Sequence, residues 1–321
     1  MKSPLLKICT VVAAGCVSAQ ANLNIIPTFA SNITSDPNAA TIEASILADI
    51  STMDSYIANN TTVNITFQET SSGLGSSSTL HYSPGYSTYY SQLQNNQTLS
   101  AADVTAIASL PNQANNPVNG TANVSEQTAL ARALGLANYT GGPDGTISLN
   151  TSIMNLSRTG GQNGSFYDLQ AVAMHEIDEV LGIGGPGSSL PTTTGAVGPL
   201  DLFRYSAPGV RSFTSSSSAT AYFSINGGVT DLSGFNQSSS GDYSDWATGA
   251  TNHVQDAFGT PGAQLNLGPI ELTALDVIGW NLTASGLALE TGVVPEPGSL
   301  ALLGFGLIAV AGYRKRSQKA E

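Results

Sequence analysis

Both cysteines of this chain, Cys9 and Cys16, fall at its extreme N-terminus. Everything beyond them must hold together without disulfides and without thiolate metal ligands, on an apolar core alone. The stretch that contains them reads as a secretion signal. Lys2 and Lys7 supply the positive start, Leu5 to Ala14 a short apolar run, and Ala19-Gln20-Ala21 small residues for cleavage before Asn22. Residues 1–21 are therefore expected to be removed on export. Roughly 270 residues remain to fold, enough for one sizeable core.

The other end is built differently. Val294-Pro295-Glu296-Pro297 breaks structure, Ser299 to Tyr313 is almost purely apolar, and Arg314-Lys315-Arg316 closes the run. The apolar stretch is short for a full membrane span, and basic flanks extend such stretches by snorkelling. The basic cluster should stay on the cytoplasmic side and leave the body outside. This arrangement resembles the PEP-CTERM sorting signal of Gram-negative bacteria. The resemblance implies an exosortase-type sorting enzyme as partner, a transient C-terminal membrane anchor, and delivery to the cell surface or beyond in an exopolysaccharide-producing bacterium. The expected organisation is signal 1–21, body 22–289, linker 290–298, and hydrophobic helix with basic tail 299–321.

Between the two ends the only basic residues are Arg132, Arg158, Arg204 and Arg211, whereas every acidic residue except Glu296 and Glu321 lies there. Such a surface repels phosphate backbones, which excludes nucleic acid as a partner.

The body reads as α+β. Ile42, Ile46, Ile50 and Met53 recur at helical spacing within 40–57, and Val63, Ile65 and Phe67 alternate as in a strand over 62–67. "SSGLGSSS" is expected to be a flexible connection. Residues 86–93 and 101–110 look helical, the second capped by Ser100 with Asp103 near its positive end. A helix over 126–136 and a short edge strand over 146–149 follow. Next comes a helix over 166–181 with Ser165 as cap, stopped by Gly182 and Gly184. Downstream, "DLFRYS", "AYFSINGG" and "DWATG" suggest an irregular half with short strands, closed by a helix over 270–278.

The helix over 166–181 contains "HEIDEVLG". Four residues apart on a helix, His175 and Glu179 project to one side and can grip one metal ion. Asp178, at i+3, is the alternative to Glu179. The stretch resembles the zincin motif HExxHxxG at His175, Glu176 and Gly182, with Glu179 in place of the second histidine and Gly185 where a metzincin has its third. No methionine follows Met174, so a Met-turn is excluded. The resemblance implies that Glu176 is the general base, taking a proton from metal-bound water. It also implies a zincin-like single domain whose edge strand, here 146–149, holds substrate by strand addition.

Together with "DLFRYS" and "ALDVIGW", the motif is similar to a group of exported bacterial proteins that look like metalloproteases. A catalytic zinc needs three protein ligands and an open position. Asp201, which opens "DLFRYS", is the first candidate for the third ligand and His253 the second, with Asp242 and Asp245 behind. Two carboxylates would neutralise the ion, acidify its water less than three histidines do, and leave more of the deprotonation to Glu176. They would also loosen selectivity for Zn2+ over other divalent metals.

The expected function is an exported metal-dependent endopeptidase acting on protein or peptide substrates. A non-catalytic surface or exopolysaccharide-matrix protein with a relic site is the competing reading. A calcium-stabilised module is a third, but only the loose "GDYSDW" speaks for it. Arg204 is expected to pair with a carboxylate or bind a substrate C-terminus, Trp246 and Trp280 to be core aromatics, and His81 to sit in a surface loop.

Overall fold

In the computed structural model the described residues are 22–290, apart from 97–98, 140, 186–189, 191–195 and 250–251. The signal and the hydrophobic sorting helix expected at 299–321 lie outside them. No helix among the described residues is long and apolar enough to cross a membrane.

In chain order the first half comprises β1 (Asn24–Phe29), α1 (Ser31–Thr34), α2 (Ala39–Tyr56), β2 (Thr62–Glu69), β3 (Gly75–Thr79) and β4 (His81–Tyr82). Then come α3 (Tyr86–Gln94), α4 (Ala101–Ser109), β5 (Glu126–Gln127), α5 (Thr128–Ala133) and β6 (Gly145–Leu149). Two short strands, β7 (Met154–Asn155) and β8 (Tyr167–Asp168), lead into α6 (Leu169–Leu181). The second half holds β9 (Arg204–Ala207), β10 (Val210–Arg211), β11 (Tyr222–Phe223) and β12 (Ser233–Gly234), then α7 (Pro269–Ile278) and α8 (Ala284–Glu290). The protein is α+β.

The alternating Val63, Ile65 and Phe67 of β2 are buried, and the main sheet forms around them in the order β1-β2-β6-β3. β1, β2 and β6 run parallel, and β3 is antiparallel to β6, with Ser77 opposite Ile147. Two expectations change here. The strand at 146–149 is interior, paired on both sides, and the edge beside it is β3, drawn from the serine run expected to be a flexible link. Serine and glycine have little intrinsic strand preference, so pairing with β6 makes this segment a strand.

Helix α2 buries Ile42, Ile46, Ile50 and Met53, as its spacing predicts. The capping box at α4 forms, Ser100 accepting from Asp103 N–H and Asp103 from Ser100 N–H. The helix expected over 126–136 covers only Thr128–Ala133, because Glu126 and Gln127 pair with β4 instead. His81 therefore lies in a short exposed strand rather than a loop.

Several carboxyls outside the helix α6 motif are buried as well. Burial pushes Glu126, whose two carboxyl oxygens have no partner, up to about 8. Burial, opposed by the nearby Arg158, pushes Asp49 to about 8. It also raises Asp103 and Glu290 to about 7. The folded state thus keeps protons that the unfolded chain has lost. The stability this contributes is full below the ordinary carboxyl range and is lost as pH rises through about 7 to 8. Thermal unfolding followed from about pH 5 to about pH 8.5 should show Tm falling by about 5 °C or more. A flat or rising profile contradicts this.

Candidate metal centre

Helix α6 starts later than its apolar pattern implies. Asp168, not Ser165, is the cap, accepting from Ala171 N–H at 3.2 Å. Arg158 grips the same carboxylate, Nε to Oδ2 at 2.7 Å, and so fixes where the helix begins. Gly182, at φ 119°, ends it. Trp280, from "ALDVIGW", donates its indole N–H to Leu181 O at 2.8 Å and satisfies an open carbonyl at that end.

The helix lies unusually close to the sheet at two glycines. A Cβ at Gly145 would stand 2.5 Å from Val180 Cγ2, and one at Gly75 would stand 2.3 Å from Glu176 Oε1. The backbone of edge strand β3 consequently runs directly past Glu176.

His175 and Glu179 face the same point, with Nε2 and Oε1 3.4 Å apart. The third group there is Asp245, whose Oδ2 is 3.7 Å from His175 Nε2. One donor atom from each of the three lies within 4.8 Å of the other two. Each is oriented by a partner on its remaining atom. His175 Nδ1–H donates to Val254 O at 2.9 Å, which turns Nε2 into the cluster, where Gln255 Nε2 is 3.3 Å from it. Ser77 of β3 donates to Glu179 Oε2 at 2.6 Å. Gly185 N–H donates to Asp245 Oδ1 at 2.8 Å, and Gln255 Nε2 to the same oxygen at 3.1 Å.

These donors fit a small divalent ion. Ligand atoms about 2.0–2.1 Å from a tetrahedral zinc stand roughly 3.3 Å apart. The observed separations of 3.4 and 3.7 Å are close to that. An imidazole nitrogen among only three donors suits zinc-like ions better than calcium, which takes 6–8 oxygens. Buried polar atoms without partners, Glu176 Oε2 and Gln255 Oε1, lie beside the group.

The electrostatics agree. Burial alone would lower the His175 pKa, but Asp245, Glu179 and Glu176 together hold it well above its usual value. Burial, then the neighbouring Glu179, holds the Glu176 carboxyl well above its usual range. Burial likewise lifts Asp245 to about 7. Without a cation the cluster retains protons; a bound ion would take their place.

The remaining candidates separate. Asp201 is not in the group. Its Oδ2 accepts from Gly198 N–H at 2.8 Å and caps the turn that opens "DLFRYS". The structure puts Asp245 where Asp201 was expected. His253 lines the same cleft, but its Nδ1 is 3.9 Å from Glu271 Oε1 and outside the three-donor group. Asp178 is fully buried with neither carboxyl oxygen partnered, and burial beside Glu271 keeps its pKa well above the usual range. It is no ligand.

Burial pushes the Arg204 pKa down to about 10, against the pull of the nearby Asp201 carboxylate. Arg204 is buried, lies 4.3 Å over the Phe235 ring, and donates to Tyr243 O at 2.6 Å. The conspicuous arginine of "DLFRYS" thereby anchors the segment that carries Asp245. Trp246 is buried next to Asp245, stacked on Phe223 at 5.5 Å, and Trp280 is buried as well; both are core aromatics.

Gly185, in the position of an expected histidine, has φ 64°, and a Cβ there would lie 2.7 Å from the Glu179 carboxyl carbon. A side chain is thus excluded, and the backbone N–H holds Asp245 instead. This is the one signal by which sequence could have pointed to a ligand from further along.

The group sits in a cleft of about 500 Å³ lined by Leu74 and β3 residues Gly75 to Ser77 on one side and by Ser239 to Asp242 and Val254 on the other. Residues 293–316 match the PEP-CTERM protein-sorting motif. No curated protein and no solved structure matches the chain. The chain is thus an exported protein bearing the C-terminal signal and membrane anchor that exosortase-type sorting enzymes recognise.

Proposed function

We propose that the body is an exported metal-dependent endopeptidase of zincin-like design, with His175, Glu179 and Asp245 as metal ligands and Glu176 as general base. The observation that carries this reading is the convergence of the three donor atoms within 4.8 Å, each oriented from behind, on the wall of an open cleft. Zn2+ is the ion the donor set favours, with other divalent metals as competitors. When bound, it supplies Lewis acidity to a water and to the scissile carbonyl.

The chain's own residues do the rest. Glu179 and Asp245 offset the charge of the ion, and the Val254 carbonyl keeps His175 in the tautomer that offers Nε2. Among the described residues β3 is the last strand of its sheet, so its outer N–H and C=O groups are available to a peptide laid alongside. A peptide in that position passes Gly75, next to the Glu176 carboxyl. Glu176 takes the proton of the attacking water and returns it to the leaving amine.

The test is the metal content and peptidase activity of the purified full-length protein. The expected result is about one zinc per chain after loading and dialysis, with chelator-sensitive cleavage of an unfolded protein substrate. Protein that retains no metal after loading rules the reading out.

A further inference from the structure

Six carboxylates line the cleft: Asp168, Glu176, Glu179, Asp242, Asp245 and Asp256, with no lysine or arginine among the lining residues. Asp168 is matched by Arg158. Glu179 and Asp245 face the metal position, and Glu176 stands beside it. Asp242 and Asp256 are left over.

Asp256 is the more telling of the two. It is only 5 % exposed, and its Oδ2 accepts from His253 N–H at 3.1 Å. Its Oδ1 is buried without any hydrogen-bond partner. Asp242 is exposed, and its loop packs close to the same segment: a Cβ at the adjacent Gly241 would lie 3.2 Å from Ala257 Cβ. No ion pair forms on either carboxylate among the described residues.

The body cannot supply the missing positive charge. It has no lysine between residues 22 and 294, and its four arginines are all engaged. Arg132 is bound to Asp144 and Arg158 to Asp168. Arg204 is buried over Phe235, and Arg211 lies over Tyr205. The imidazole of His253 lies 3.9 Å from Glu271 and also acts on Asp256, so it offers at most one positive charge between the two carboxylates. A divalent ion would offset only Glu179 and Asp245. The cleft would still carry an excess of negative charge close to low-dielectric walls, where Coulomb attraction is strongest.

We infer that the wall formed by Ser239–Asp242 and Val254–Ala257 is a subsite for a basic side chain, so that the preferred substrates are lysine- or arginine-containing peptides. The buried Asp256 receives the cationic head and the exposed Asp242 draws it in. This rests on the peptidase reading for its substrate, but its test does not need turnover.

Binding is measured to the full-length Glu176→Gln protein loaded with zinc. The probes are labelled, otherwise alanine-rich peptides carrying Lys, Arg, Leu or Glu at one central position. Lys and Arg peptides should bind about tenfold or more tightly than the Glu peptide, with the difference shrinking at high salt. In the Asp242→Asn/Asp256→Asn double variant the preference should drop below about threefold, with affinity for the Leu peptide unchanged. Asp242→Asn alone, at an exposed position, should weaken Lys binding about two- to threefold and serves if the buried change impairs folding.

Equal binding of Lys, Leu and Glu peptides, absence of any binding, or a preference that survives the double variant overturns the subsite. Wild-type protein that cleaves peptides without charge preference leaves the peptidase standing and removes the subsite. Protein that binds basic peptides selectively but never cleaves does the reverse.

Discussion

Glu176→Gln is expected to lower peptide cleavage by about 10³-fold while leaving about one zinc per chain in place. Glutamine matches glutamate in size, so it fits the narrow space beside Gly75, where only a glycine backbone can pass. It cannot take a proton. Glu176 is not one of the three converging donors, so the metal position keeps all of its ligands. Initial rates and zinc content on the same preparation separate the roles. Cleavage retained within about tenfold would place the base elsewhere. Loss of zinc would make Glu176 a ligand.

Asp245→Ala and Asp201→Asn should diverge sharply. Removing Asp245 takes away one of three donors and strips the counter-charge from a half-buried imidazole whose pKa its carboxylate holds up. Zinc affinity, measured against a competing chelator, should fall well beyond the roughly 10–100-fold typical of losing an outer-shell partner. Asp201→Asn weakens a turn cap on Gly198 N–H and removes the carboxylate charge beside the buried Arg204, worth about 1–3 kcal/mol in unfolding, and should leave zinc affinity unchanged. The opposite pattern would give the site to Asp201.

Local signals are sufficient where one segment carries the information. The periodic isoleucines of α2, the alternation in β2 and the Ser100 cap all describe contacts within a few residues of each other. The strand content of "GSSST" was invisible because its stability lies in its partner β6. The start of α6 was misplaced by several residues because Arg158, from a separate loop, holds the capping Asp168.

The site divides along the same line. His175, Glu176 and Glu179 were legible because helical spacing alone brings them to one turn of α6. Asp245 ranks only behind Asp201 and His253 in the sequence, because it reaches the α6 residues through the packing of a loop that Arg204 and Trp246 anchor and that Gly185 receives.

Sequence by itself determined that this protein carries a sorting signal for export, has no cysteine beyond Cys16, and places a histidine and two glutamates on one helix. Those properties depend on composition or on neighbours along the chain. Tertiary structure alone decided which carboxylate joins His175 and Glu179, and which strand borders the cleft. It also decided which acids remain without a counter-ion. Each of these is set by long-range pairing and burial, and neither leaves a mark in the spacing of residues.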